Sequence, residues 1–382
     1  MDNIATEYGY NIRTVSGEYD LSFGSWDADL IGHGTHVSGI VGAVGNNGLG
    51  ITGVNWNVKI IPVRVYDTTN DYETINYEIR ALNYIASLLS KNPSMKLAAV
   101  NLSLGAALPI TPSEIQNDVY YMAYHALDSL NRTLIVVSAG NKGVEVGAPT
   151  LFDEPVGDNG FKKGQYYYPA SFIGLNNLIV VGAIASDDTA PDFTSWGEKV
   201  DIAAPGVAIL STYSAMAESG QATAMYITVS GTSQAAPYVT GAAALLMSAY
   251  PDATPEQIKS ALLDGANRDK NPLVYPYAGY VKRYVDMGTK EVDSLIEAGR
   301  VPIASRDELI AKVTLTYEEK YAPYKQFDGN GRVSRTGLLD VKAAYDLLEQ
   351  RSHGSGSSSG CYAGLPAVIA ILAGGFILMR KW

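Results

Sequence analysis

Short, continuously apolar runs alternate along this chain with stretches of helical period. The runs are Lys59 to Val65, Leu97 to Leu102, Leu134 to Ser138, Leu178 to Ala183 and Val200 to Ala203, and the helical stretches include Tyr77 to Ser90 and Ser113 to Leu130. A strand that is apolar at every position needs cover on both faces, and a helix between successive strands supplies it. The pattern predicts an α/β fold, a mainly parallel central sheet with helices on both faces in three layers. With 382 residues, 47% of them apolar and 18% charged, the chain is long enough for one large domain with appendages. A formal charge of −11 argues against nucleic acid as a partner and against a basic membrane-surface patch. Cys361 is the single cysteine, so no internal disulfide supports the fold.

Two fragments carry chemistry. In Gly32-His33-Gly34-Thr35-His36-Val37-Ser38-Gly39, two histidines enter an apolar stretch, Val37 to Val44, that reads as a buried helix. In Gly231-Thr232-Ser233-Gln234-Ala235-Ala236-Pro237, a serine precedes the apolar helix Val239 to Met247. Proline suits the first turn of a helix, which puts Ser233 at a loop-to-helix junction where backbone N–H groups point outward. A hydroxyl there can lose its proton to histidine while free N–H groups hold the resulting oxyanion, which is the chemistry of acyl transfer. Each fragment also has a plainer reading. His33 and His36 could be half of a zinc site, but no further His or Cys ligand stands nearby. Gly-Thr-Ser taken alone is more often a helix cap than a nucleophile, and the co-occurrence with the histidine fragment reverses that preference.

On these fragments the chain resembles the subtilisin-like serine proteases, the subtilases, from about Tyr8 to Ala266 and again from Gly329 to Tyr345. The resemblance implies the subtilisin-like three-layer fold, with His33 as general base, Ser233 as nucleophile and His36 as a structural residue. Val136-Val137-Ser138-Ala139-Gly140-Asn141 is similar to the family's oxyanion strand, which implies that Asn141 donates its side-chain amide beside the Ser233 N–H. Val100 to Gly105 resembles the strand that pairs with substrate backbone. Ser103, Leu104 and Gly105 would then form one wall of the pocket for the residue before the scissile bond, and Ser138, Ala139 and Gly140 the other. Lys142 falls at the pocket rim, where its charge is expected to disfavour Lys or Arg in the substrate. Gly45 to Gly53 resembles the family's calcium loop, with carbonyls of Gly45, Leu49 and Ile51 and the Asn47 side chain as oxygen donors. Tyr168-Pro169 resembles a Tyr-Pro turn with a cis bond. Ala203-Ala204-Pro205-Gly206-Val207 resembles the loop ahead of the nucleophile.

One expected part is missing. The family's catalytic aspartate ends an apolar strand well before the histidine, and Tyr8 to Asn11 already resembles the segment beyond that strand. Asp20, Asp27 and Asp29 precede His33, but in a loop bearing glycine and serine. Losing that strand would leave backbone groups without partners in the middle of the sheet. Within an expected peptidase domain of residues 1–352, an insert at about 270–326 carries two predicted helices, Lys290 to Ala298 and Ser305 to Thr314. Asp328-Gly329-Asn330-Gly331-Arg332-Val333 can be read as a calcium loop or as the family's closing element, and Arg332 at a ligand position favours the latter. Residues 353–360 read as a Ser/Gly linker. Residues 361–382, with an apolar run of about 18 residues and a basic end, read as a transmembrane or sorting segment. The sequence is therefore identified as that of a subtilase acting on protein or peptide substrates, extracytoplasmic and held at a bacterial cell surface or membrane, with a sorting enzyme as a further partner and calcium as a structural ion. The alternative is a catalytically impaired subtilase that binds peptide along Ser103 to Gly105.

Overall fold

The computed structural model describes residues 19–20, 32–65, 74–151, 162–216, 222–354 and 368–373. In chain order the strands are β1 (Tyr19–Asp20), β2 (Lys59–Arg64), β3 (Leu97–Leu102), β4 (Ala106–Leu108), β5 (Leu134–Ser138), β6 (Tyr166–Tyr168), β7 (Leu178–Ile184), β8 (Ile202–Pro205), β9 (Ile209–Met216), β10 (Ala222–Val229) and β11 (Val368–Ala373). The helices are α1 (His33–Gly42), α2 (Thr74–Lys91), α3 (Val119–Asp128), α4 (Thr232–Ala249), α5 (Pro255–Asp264), α6 (Pro276–Glu297), α7 (Arg306–Tyr321) and α8 (Val341–Gly354). Among the described residues the main sheet is parallel throughout, in the order β1-β2-β11-β3-β5-β7-β8. Every position of β3, β5 and β7 is buried, as expected where helices cover both faces. One apolar core lies under α2 and α3, and a second lies under α1, α4, α5 and α8. The three-layer architecture expected from the strand and helix alternation is the observed one.

Several expectations change in detail. The helix expected over Ser113 to Leu130 is a 3₁₀ turn, Ile115–Asn117, followed by α3. Between them Asp118 is extended, and its carboxylate accepts the Tyr120 N–H at 2.8 Å, so the side chain caps a new helix rather than continuing an old one. The strand expected at Val200 to Ala203 runs from Ile202 to Pro205. Both insert helices are longer than expected because Pro276 opens α6 well upstream of Lys290, and α7 runs on to Tyr321. The Tyr168-Pro169 bond is cis, as the resemblance implies.

The C-terminal segment differs most from expectation. Residues 368–373, expected within a membrane-spanning or sorting segment, form β11, parallel to β2 on one side and to β3 on the other. Val-Ile-Ala-Ile-Leu-Ala is apolar and rich in β-branched residues, a composition suited to a strand covered on both faces. It supplies backbone hydrogen-bond partners to β2 and β3, inside the sheet from which a strand was expected to be missing. No helix among the described residues is long and apolar enough to cross a membrane. His353 and Gly354, expected in the linker, end α8; the rest of the linker, residues 361–367 and residues 374–382 lie outside the described residues.

Candidate active site

His33 is the first residue of α1. Gly32 ahead of it has φ 74°, and a Cβ there would meet the Ser214 carbonyl at 2.3 Å and the Tyr213 ring at 2.5 Å, so only glycine fits this entry to the helix. His36, one turn further, is buried. Its Nε2 lies 3.2 Å from the Ile209 carbonyl and 3.2 Å from the Ile227 carbonyl, so it ties α1 to the β9–β10 hairpin. Burial pulls its pKa below the ordinary histidine value, which keeps the ring neutral. Ser211 Oγ and Thr212 Oγ1 reinforce the same contact by donating to the carbonyls of His36 (2.7 Å) and Thr35 (2.8 Å). His36 is therefore structural, and the hairpin that holds it was not foreseen from the sequence.

Ser233 is the second residue of α4, and the helix begins at Thr232 rather than beyond Pro237. Pro237 sits in the second turn, not the first. Lacking an N–H, it cannot donate to the carbonyl four residues back, which belongs to Ser233. That carbonyl accepts a hydrogen bond from Ser103 Oγ at 2.8 Å instead. Ser103 Oγ in turn accepts from Asn101 Nδ2 at 3.0 Å, and Thr240 Oγ1 donates to Asn101 Oδ1 at 2.8 Å. This buried polar chain runs from the middle of α4 through β3 back to the first turn of α4, and it fixes the serine's backbone against the strand leading to Ser103, Leu104 and Gly105. The Ser233 hydroxyl itself faces the Ser103 carbonyl at 3.4 Å. Of these groups, Asn101 and Thr240 were missed; their only sequence signal is that they are polar residues inside otherwise apolar elements.

Asn141 follows the end of β5. Its Oδ1 accepts two hydrogen bonds at 2.8 Å, from the Thr232 N–H and from Thr232 Oγ1. Because a backbone N–H can only donate, this fixes which end of the amide is oxygen. Nδ2 then lies toward the start of α4, 3.1 Å from where a Cβ on Gly231 would stand. Thr232 Oγ1 also accepts from the Gly140 N–H at 3.0 Å, so one hydroxyl sets both the loop and the amide. An amide donor is thus held beside the start of α4, where the Ser233 N–H lies between those of Thr232 and Gln234, which are taken by Asn141 Oδ1 and the Gly231 carbonyl. Gly140 has φ 101°, and Ala139 is anchored to β7 through its N–H to the Val181 carbonyl at 2.9 Å. Lys142, next in the loop, is held by its carbonyl, which accepts from the Tyr280 hydroxyl of the insert.

Ser103, Leu104 and Gly105 follow β3 and lead into β4, which pairs antiparallel with β6, Ala107 opposite Tyr167. The Tyr167 ring lies against both expected walls, since a Cβ on Gly105 would stand 2.4 Å from it and one on Gly140 2.8 Å. Behind Tyr167, Glu78 of α2 is buried and accepts hydrogen bonds at Oε1 from the hydroxyls of Tyr120 (2.9 Å) and Tyr124. Burial pushes the Glu78 carboxyl up to about 7, the two phenols acting in the opposite direction.

Other expectations resolve differently. In the Gly45 to Ile51 turn, Asn47 Oδ1 accepts the Leu49 N–H at 3.0 Å, and Gly48 and Gly50 have φ of 72° and 46°. The expected donors there are all neutral oxygens, and no group of three or more acidic, His or Cys side chains among the described residues could hold a metal. Asp328 does not serve a calcium loop. Its carboxylate accepts from the N–H groups of Tyr277 (2.9 Å) and Ala278 (3.2 Å), capping α6 from about 50 residues downstream. Asp20 lies on edge strand β1, in register with Arg64 of β2, and Asp27 and Asp29 lie outside the described residues. No acidic residue occurs in β11.

Residues 15–290 match the profile of the subtilase family. The chain is 29% identical to subtilisin DY of Bacillus licheniformis over 265 residues, which are 69% of this chain and 81% of that protein. It is 32% identical to thermitase of Thermoactinomyces vulgaris over 254 residues, 66% of this chain and 74% of that one. Other relatives are covered less fully: the chain spans 50% of the extracellular serine proteinase of Thermus sp. strain Rt41A, to which it is 35% identical over 251 residues, 66% of this chain. Among solved structures, MycP1 with its N-terminal propeptide removed superposes with a TM-score of 0.50 at 23% identity, covering 69% of this chain and 88% of that one, a likeness of fold. A cold-adapted subtilisin-like serine proteinase superposes with a TM-score of 0.48 at 27% identity, covering 68% and 76%. With the profile spanning well over half of the chain, and the helix-borne serine and strand-end asparagine held together as described, the chain belongs to the subtilase family of serine endopeptidases.

Proposed function

We propose that the chain hydrolyses peptide bonds through an acyl-enzyme at Ser233. In this reading His33 takes the hydroxyl proton as Ser233 Oγ attacks the scissile carbonyl, and the carbonyl oxygen gains the displaced electron pair. Asn141 Nδ2 and the Ser233 N–H stabilise that oxyanion. The imidazolium then returns its proton to the leaving amine as the C–N bond breaks, and water repeats the sequence to release the acid. The observation that carries the reading is the Asn141 amide, pinned by Thr232 so that its donor end faces the nucleophile's helix. Such an arrangement has a use where negative charge develops beside Ser233 and little use in a mere helix cap.

The carboxylate that orients His33 is proposed to come from residues outside the described ones. Calcium at the Gly45, Asn47, Leu49 and Ile51 oxygens is likewise proposed, and it would need a carboxylate from the same source. Lys142 is proposed to disfavour Lys and Arg before the scissile bond; a cleavage profile that prefers basic residues there removes this assignment. Relatives named as extracellular proteases support an extracytoplasmic location. Retention at the cell surface by the C-terminal segment is a further proposal, and it excludes simultaneous use of residues 368–373 as β11. Membrane fractionation of the full-length protein tests it.

The test of the catalytic reading is treatment of the full chain with a fluorophosphonate probe, then peptide mapping and a casein assay. Adduct on Ser233 with hydrolysis, both lost in Ser233→Ala, is the expected result. Absence of adduct and of hydrolysis would replace it with the peptide-binding reading, which the burial of Ser233 and the turn of its hydroxyl toward Ser103 favour.

A further inference from the structure

We propose that Tyr167 fills the pocket between the Ser103–Gly105 and Ser138–Gly140 walls, so that only substrates with a small side chain (Gly, Ala or Ser) before the scissile bond are accepted. The identity of the two walls rests on the catalytic reading; the placement of the ring between them rests on geometry. Pairing of β4 with β6 brings Tyr167 level with the residues just beyond Gly105. A Cβ on Gly105 would lie 2.4 Å from Tyr167 Cζ and 2.5 Å from its hydroxyl oxygen. A Cβ on Gly140 would lie 2.8 Å from Cε1 and 2.9 Å from Cδ1 of the same ring. Real Cβ atoms do not approach this closely, so the ring is in direct contact with both backbones and fits only because each position is glycine. The phenol therefore spans the gap between the walls, one edge on each.

The ring is also held. Tyr167 is 8% exposed and belongs to the apolar core under α2 and α3, together with Leu104, Val137 and Ala139. Its hydroxyl end is near Ser138, and the buried Glu78 carboxyl is close enough to raise the phenol's pKa further after burial has done so. Tyr120 and Tyr124, which donate to Glu78, pack edge-on against Phe172 at 5.3 and 5.0 Å in the same apolar core. A large substrate side chain would have to displace a packed core residue, whereas a methyl or hydroxymethyl group has far less volume to accommodate.

The experiment compares kcat/KM of the full chain on two internally quenched peptides that differ only in Ala or Phe before the cleaved bond. The expected ratio is about tenfold or more in favour of Ala, falling by about tenfold or more in Tyr167→Gly and unchanged in Tyr167→Phe, which keeps the ring. If Tyr167→Gly fails to fold by circular dichroism, Tyr167→Ala takes its place. A wild-type preference for Phe, or an active glycine or alanine variant with the wild-type ratio, overturns the assignment. If neither peptide is cut and Ser233 takes no fluorophosphonate, the catalytic reading has failed separately. Calorimetric binding of tetrapeptides ending in Ala or Phe to the Ser233→Ala chain then decides this one: preferential binding of the Ala peptide, lost in Tyr167→Gly, sustains it, and equal or absent binding of both overturns it.

Discussion

Replacing Glu78 by glutamine should make the protein more stable at alkaline pH and leave its relative stability at acid pH untouched by any titration. Glu78 is 1% exposed, and its carboxyl is pushed up to about 7 from the ordinary 4.5. Below pH 4.5 the side chain is protonated in both the folded and unfolded chain, and its favourable contribution is fully present. As pH rises from 4.5 toward 7 the unfolded chain gives up the proton while the folded chain keeps it, so stability falls, and the loss is complete once pH passes the folded value. At 1.36 kcal/mol per pH unit, the gap between 4.5 and about 7 is worth about 3 kcal/mol. Glutamine stays neutral throughout, and its carbonyl can still accept from the Tyr120 and Tyr124 hydroxyls. Urea melts of both proteins at pH 4.5, 6 and 8 measure the effect, since the difference between them cancels every other titrating group. The variant should gain about 3 kcal/mol on the wild type between pH 4.5 and 8, most steeply near pH 6. A difference that stays flat across the range would refute the buried, protonated carboxyl and the reasoning built on it.

Asn141→Ala should lower kcat by about 10²–10³ with little change in KM, the loss measured when such a donor is removed from a subtilisin, as read in steady-state peptide hydrolysis. Ser103→Ala should cost about 1–3 kcal/mol by leaving the Ser233 carbonyl without its donor, and adding Pro237→Ala, which restores a helix N–H, should recover part of that loss in a double-mutant cycle of urea melts. His36, held neutral by burial, should act opposite to Glu78: stability falls as pH drops below about 6.5, because only the unfolded chain takes up that proton, and His36→Gln should remove this component from the acid limb of the pH–stability curve. Asp328→Ala should lower stability by about 0.5–2 kcal/mol through the uncapped start of α6, measured by thermal melts.

Legibility in the sequence tracked burial. β3, β5 and β7 are apolar at nearly every position and buried at every position, so their runs announced both strand and parallel sheet. The β9–β10 hairpin was missed because its buried positions include Ser211, Thr212 and Ser214, polar residues whose burial is matched in part by hydrogen bonds to α1. Pro237 misled the start of α4, since nothing local shows that a serine 134 residues upstream supplies the hydrogen bond the proline cannot. Asp328 resembled part of a metal loop because its true partners, two amides of α6, are close only in the fold. The motifs around His33, Asn141 and Ser233 were readable from local spacing, whereas the Thr232 and Asn101 contacts that aim them are properties of the assembled sheet. Tyr167 carried no signal until β6 was seen to lie against Gly105 and Gly140.

The tyrosine-rich insert has a consequence for anyone wishing to shorten this chain. Tyr280 and Tyr284 of α6 stack on Tyr321 of α7 at 4.8 and 5.2 Å, with Tyr317 next in the column, and the column ends at the hydroxyl that holds the Lys142 carbonyl. Lys142 is the residue after Asn141. An excision that joined Tyr275 directly to Asp328 would look, on a topology diagram, like trimming a decoration. It would instead remove a buttress from the loop that carries the proposed oxyanion donor, and a minimal version of this protein should be sought at its other surfaces.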